Sequence, residues 1–363
     1  MPVKDGSIRR RLEAREETLS PHAARSAGSR GRAVPEEPSH LRTDYQRDRD
    51  RIIYCKAFRR LKHKTQVFIA PLGDHYASRL SHTLEVSQIA RTITRALNLN
   101  EDLAEAIAMG HDMGHTPFGH IGEDELNSIH PSGFKHSLQS LRIVDQIEKD
   151  GRGLNLTWEV RRGILLHSKP RGNFLAGTAD EDLTLEGQVV RISDAVAYLN
   201  HDLLDAFRAG VLEEGDLPRN LVSELGGSHS QRIDNMVSDI VSSSWPACGS
   251  KAGEDRARGE GPTISMSEGF QGPFMELREF MFDKVYLPRG SGEEGKAARR
   301  IVRLLYDYFS EARHEIPEEY ALRSRSETEE VADYVSGMTD RYALRTAERI
   351  QPGIAEIFAE RLL

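Results

Sequence analysis

Cysteine is scarce in this chain: Cys55 and Cys248 are the only two in 363 residues, and they lie far apart. That rules against a disulfide framework and a thiolate metal site, and it fits a reducing cytoplasm. No apolar run approaches membrane-spanning length. The N-terminus, with Lys4, Arg9, Arg10, Arg11, Glu13, Arg15, Glu16 and Glu17, carries no signal-like apolar core. A soluble cytoplasmic protein with no membrane partner is expected. Charge of one sign is not in excess either: Lys+Arg 49 against Asp+Glu 57 gives a formal -8. No global field draws the chain onto nucleic acid, so any polyanion must be met by a local cluster. Strand patterns are few, and there is no internal repeat.

What is present is helical periodicity. Residues 1–40 are charged and rich in Ser, Gly and Pro, which predicts a flexible N-terminal arm. From 41 to 240 the spacing predicts a helical catalytic core, with Leu84, Ile89, Ile93 and Leu97 on one stretch and Leu138, Leu141, Val144 and Ile147 on another; Leu84 is expected to point inward. The clearest pattern is Leu185, Val189, Ile192, Val196, Leu199, Leu203 and Phe207, a single apolar stripe along a long core helix. Beside it Asp194, Tyr198 and Asp202 recur every four residues, a polar row able to line a cleft. Residues 241–268 predict an irregular loop, and 269–363 a C-terminal helical region packed on the core. The fold class expected is all-α.

Between His111 and His120 the run HDMGHTPFGH places three imidazoles and a carboxylate within ten residues. That density is hard to explain as packing. Adjacent His and Asp can turn toward one cation, and mixed nitrogen and oxygen ligation suits a divalent metal with positions open for water and substrate. His111 and Asp112 alone are too few, so helices alongside must add ligands. His82, between Leu80 and Leu84, and Asp194, heading the polar row, are the candidates. Taken singly, each has a plainer explanation: a hydrogen-bonded structural histidine, and a solvated aspartate or helix-end partner.

The ordered set His82, His111-Asp112, Asp194 resembles the HD-domain metal-dependent phosphohydrolases. Further segments narrow the match: Arg49 to Ile53, Lys56 to Phe68, Gly73 to Tyr76, Arg79 to Val86, His111 to Glu123, Gly133 to Arg142 and Leu185 to Tyr198. Together they resemble the bacterial dGTP triphosphohydrolase-like (dNTPase) family over about residues 8–240, in order and without a missing element. One mild departure is Ile192-Ser193-Asp194, where relatives often have an acidic or small residue before the ligand aspartate.

The resemblance implies an HD-domain helical core with additional C-terminal helices. It also implies hydrolysis of a deoxynucleoside triphosphate at the α-phosphorus, to deoxynucleoside and inorganic triphosphate. His82, His111, Asp112 and Asp194 would hold one divalent metal, Mn, Mg, Fe, Ni or Zn. His120 would do acid–base work with Glu123 orienting it, a task their three-residue spacing permits. His115 and His136 would face the phosphates, and Arg79 would donate a forked contact to them. Tyr198 would pack where a ribose 2′-hydroxyl needs room, with Gln66 and Asp202 on the 3′-hydroxyl. The plainer alternatives are helix-end charge compensation for Glu123, a surface ion pair for Arg79 and core packing for Tyr198. By analogy the chain forms a homo-oligomer, and some relatives need a second dNTP as activator. Two rivals stand beside this reading. One is another HD-type phosphohydrolase, a 5′-nucleotidase or phosphodiesterase; the other is a nucleotide sensor or single-stranded nucleic-acid binder using the basic stretch Arg42–Lys64.

Overall fold

The computed structural model describes residues 7–69, 76–168, 183–248 and 262–359. Gly73-Asp74-His75 and the centre of the expected loop, 249–261, lie outside them. Among the described residues there are helices and two isolated β-bridges, Arg32 with Thr157 and Thr65 with Ser78. The all-α expectation is met.

The helices that build the site region are α1 (Ser7–Glu16), α2 (Asp44–Tyr54), α3 (Arg79–Ala96), α4 (Glu101–Gly110), α5 (Gly119–Ile129), α6 (His136–Arg142), α7 (Trp158–Leu166), α8 (Leu185–Arg208) and α9 (His229–Ser244). The C-terminal region adds α10 (Glu268–Met281), α11 (Glu293–Glu311), α12 (Glu327–Ser336) and α13 (Asp340–Ile350). Their starts are chemically marked. Thr43 with Gln46 and Ser78 with Ser81 form capping boxes on α2 and α3, while Asn100 and Thr184 accept the first free amides of α4 and α8.

Two apolar cores result. The larger gathers α3, α4, α7 and α8, including Val86, Ile93, Leu103, Ile107, Val160, Val189, Val196 and Leu203. The smaller belongs to α11, α12 and α13, including Ile301, Leu305, Val335 and Leu344, and it takes in Phe118 and Leu126 from the first unit. The active-site segment therefore sits between them.

Three features differ from the expectation. Leu84 and Leu138 are 51% and 56% exposed. The buried faces of their helices carry His82, Thr83 and Ser87 on α3, and His136, Ser137, Gln139 and Ser140 on α6. Polar groups turn inward toward the site at these two positions, while Ile89, Ile93, Leu97 and Val144 are buried as expected. Residues 7–40 lie against the core. Glu16 accepts hydrogen bonds from the Ser26 amide and hydroxyl, Ser29 donates to Glu159, and the Arg30 guanidinium lies 3.6 Å from the Trp158 ring centroid. Arg32 pairs with Asp48, a fully buried carboxylate that also accepts from the amide and hydroxyl of Thr157 at 2.7 Å each. A buried anion needs such a partner, which gives this charged segment a reason to dock. Finally, helix α9 runs into the expected loop as far as Ser244 and continues as a short turn over Trp245–Cys248.

Candidate active site

The His111-Asp112 pair follows directly on the end of α4, whose apolar face anchors it in the larger core. The His111 Nδ1–H donates to the Ala108 carbonyl at 2.6 Å. A carbonyl only accepts, so Nε2 is left as a bare lone pair, and this buried atom has no hydrogen-bond partner. It lies 3.5 Å from Asp112 Oδ1 and 3.8 Å from Asp194 Oδ1. From α3, His82 Nε2 comes to 3.1 Å of Asp194 Oδ1 and 3.8 Å of Asp112 Oδ2. Two imidazole nitrogens and two carboxylates from three helical segments thus face one point, a donor set and an orphaned lone pair that fit a divalent cation.

Burial would raise both carboxyls. His115, His111 and Arg79 hold Asp112 well below the usual range, and His82 and His111 do the same for Asp194. Both are anionic at neutral pH. Behind His82, its Nδ1 is 2.9 Å from His201 Nε2, and His201 Nδ1 is 3.0 Å from Asp202 Oδ1. When His82 donates its Nδ1–H to His201, the His82 Nε2 lone pair faces the site, the usual arrangement for an outer partner of a metal-binding histidine.

Next to this centre lies a stack of imidazoles. His115 Nε2 is 3.1 Å from Asp112 Oδ1, and its ring stacks on His136 at 3.9 Å between centroids. Glu123 on α5 accepts from the His136 amide and Nδ1 at 2.8 Å each and lies 3.3 Å from His120 Nδ1. Although burial would raise it, His136, His120 and His115 hold the Glu123 carboxyl far below its ordinary value. The effects on the histidines diverge. Burial, Arg79 and His136 push His115 well down. For His120, burial works downward but Glu123 outweighs it, and the pKa is raised. His120 is also the outermost of the group, with its side chain 58% exposed at the pocket mouth.

Arg79, 1% exposed, donates Nη1 to Asp112 Oδ2 at 2.8 Å while its Nε and Nη2 have no partner. Gln66 and Tyr198 line the same cavity. Asp202 lies elsewhere: it is fully buried and accepts a hydrogen bond from the Tyr286 hydroxyl at 2.9 Å, and the Tyr286 ring stacks on Tyr198. The basic stretch is largely engaged within the chain. Arg42, Arg47, Arg49, Arg51 and Lys56 pair with Asp50, Glu36, Glu105, Glu36 and Glu319.

Three site residues escape sequence reasoning. His167, just past α7, sets Nε2 3.1 Å from His136 Nε2 and donates Nδ1–H to the Ile164 carbonyl; burial with His111 and His136 pushes its pKa down to about 3. Phe274 and Arg278, on α10, close the cavity from the C-terminal region. A histidine ending an apolar helix, in Ile164-Leu165-Leu166-His167, was the available signal for the first; nothing local marks the second pair.

A His…His-Asp…Asp set gathered on packed helices defines the HD-domain phosphohydrolases. The chain matches the HD domain over residues 79–199 and the phosphohydrolase-associated domain over 264–349. Curated relatives called deoxyguanosinetriphosphate triphosphohydrolase-like protein align along almost its whole length. That of Caldanaerobacter subterraneus subsp. tengcongensis is 52% identical over 90% of each chain. Those of Desulfatibacillum aliphaticivorans and Clostridium tetani are 47% and 45% identical, over 95% of this chain and 98% and 96% of theirs. The chain belongs to this deoxyguanosinetriphosphate triphosphohydrolase-like family of HD-domain hydrolases. No described helix is long and apolar enough to cross a membrane.

Proposed function

We propose that the chain is a metal-dependent dNTP triphosphohydrolase that cleaves at the α-phosphorus and releases deoxynucleoside and inorganic triphosphate. The observation that supports this most is the convergence of the His111 Nε2 lone pair with His82, Asp112 and Asp194, beside a cavity lined by Arg79, His115, His120 and His136. Those four ligands would hold the cation, which supplies positive charge against phosphate oxygen and acidifies water.

The remaining work falls to this chain's own groups. Arg79 lines the cavity and keeps two donors unpartnered, suited to phosphate oxygens in a forked geometry. His115, kept neutral, donates or accepts a hydrogen bond without adding charge. His120, whose pKa Glu123 raises, is placed to give a proton to the departing 5′-oxygen. Glu123 also fixes the His136 ring, so one carboxylate orients two imidazoles. Gln66 and the Tyr198 ring face the sugar side, and Tyr198 fills the space a 2′-hydroxyl would need. Asp202 bears on the sugar pocket through the Tyr286 and Tyr198 stack.

Incubation with dGTP and the other dNTPs, singly and mixed, with Mg²⁺ or Mn²⁺ tests the reading. Deoxyguanosine plus triphosphate is expected, with GTP a poor substrate; dGDP or pyrophosphate as the product overturns α-cleavage.

A further inference from the structure

The turn between α12 and α13 reaches under the active-site loop. Asp340, 3% exposed, opens α13 and among the described residues has no partner of opposite charge within hydrogen-bond distance; it accepts from backbone and hydroxyl instead. Its Oδ1 takes the Phe118 amide at 3.0 Å, and its Oδ2 takes the Thr65 amide at 3.0 Å together with the Thr65 hydroxyl. Lys64, 2% exposed, donates Nζ to the His115 carbonyl and to the Ser336 carbonyl, the latter at 2.8 Å. Arg60 adds a bond to the Gly337 carbonyl at 3.2 Å.

The segments held here are the ones that carry function. His115 and Phe118 bracket the loop leading into α5, which bears His120 and Glu123, and Thr65 adjoins Gln66. Phe118 also has a backbone φ of +63°, the left-handed region that a phenylalanine seldom adopts and that holds only when its surroundings fix it. Its side chain is buried in the C-terminal core, with the ring stacked on Phe358 at 6.3 Å. Side chain and amide of Phe118 are thus both fixed by the C-terminal region.

We infer that the α12–α13 turn is a positioning device for catalysis: Asp340 and Lys64 set the His115–His120 loop and the Gln66 segment in register with the metal ligands. Helices α12 and α13 then serve the chemistry without touching the reacting atoms. The inference rests on the hydrolase reading above for its kinetic test and is independent of it for its structural one.

The experiment uses the full chain and compares Asp340→Ala and Asp340→Asn with Leu344→Ala, a core truncation on the same helix. Metal content, hydrogen exchange by peptide, and steady-state kinetics are read for each. Both Asp340 variants should bind metal as the wild type does, exchange amides over 115–122 at least about tenfold faster, and lose about 10- to 100-fold in kcat, with KM changing less than about threefold. Leu344→Ala should lower the melting temperature yet keep kcat below its transition. If Asp340→Ala does not fold, Asp340→Asn, which keeps an oxygen for Phe118 and loses the acceptor for Thr65, decides the matter. Exchange within twofold of wild type in a folded Asp340 variant overturns the inference, as does an equal fall of kcat in Leu344→Ala. If the wild type hydrolyses no dNTP, the hydrolase reading fails alone, and the exchange result still decides this one.

Discussion

Protonation at single residues divides the imidazole cluster into roles. Glu123 raises His120 while burial lowers His115 and His167, so the pKa values of neighbouring rings are driven apart. Replacing His120 by Ala should lower kcat by about two to four orders of magnitude with metal content unchanged. Loss of metal in that variant would make His120 a ligand instead. In Glu123→Gln the influence raising His120 is removed, so its pKa falls. A proton donor at that position is then lost earlier on raising pH, and the alkaline limb of the kcat profile should move to lower pH. An unmoved limb would count against His120 as the donor. Far from the site, Glu186 at the start of α8 is fully buried and accepts from the Ala24 and Asn100 amides; burial raises its carboxyl to about 7 from 4.5. The folded state holds that proton up to about 7 while the unfolded chain releases it from 4.5, so this residue makes stability fall as pH rises across that window. Glu186→Gln keeps one accepting oxygen and removes the titration. Its stability relative to wild type, measured by urea unfolding, should improve between pH 5 and 7.5 by an amount on the order of a few kcal/mol; a constant difference across that range would contradict the assignment.

At the scale of elements, α8 does two jobs along its 24 residues. One face buries Val189, Val196 and Leu203 in the larger core, and the other presents Asp194 and Tyr198 to the cavity. Leu203→Ala should cost about 2–5 kcal/mol by cavity formation. Urea unfolding checks it; a loss under 1 kcal/mol would mean the helix is held mainly by its polar contacts. This helix was legible in the sequence because its apolar stripe is long and regular. So was the central dipeptide, because no packing pattern asks for that density of histidine. The expectation failed only at Leu84 and Leu138, since the part of a helix that walls a polar site breaks the rule that apolar residues mark the inside. Gly114 shows a second limit. Its added Cβ would meet the His136 carbonyl oxygen and the Ser140 amide at 2.3 Å, so α6 can lie against the motif only with glycine there. The sequence shows the glycine but not the helix it admits. Pairings between distant segments, such as Arg32 with Asp48 or Asp340 with Phe118, leave no local periodicity to read.

For the whole molecule, the two apolar cores meet at the segment that carries the chemistry. The larger sets the side chains proposed to hold the cation; the smaller fixes the loop beyond them through Phe118. Everything about function depends on His82, His111, Asp112 and Asp194 acting on one cation. Metal binding to the intact chain tests that most directly, by equilibrium dialysis against Mn²⁺ followed by elemental analysis. The account predicts about one tightly held ion per wild-type chain and its loss in folded His111→Ala and Asp194→Ala, with His167→Ala less affected. Undiminished metal in folded His111→Ala and Asp194→Ala chains would contradict it.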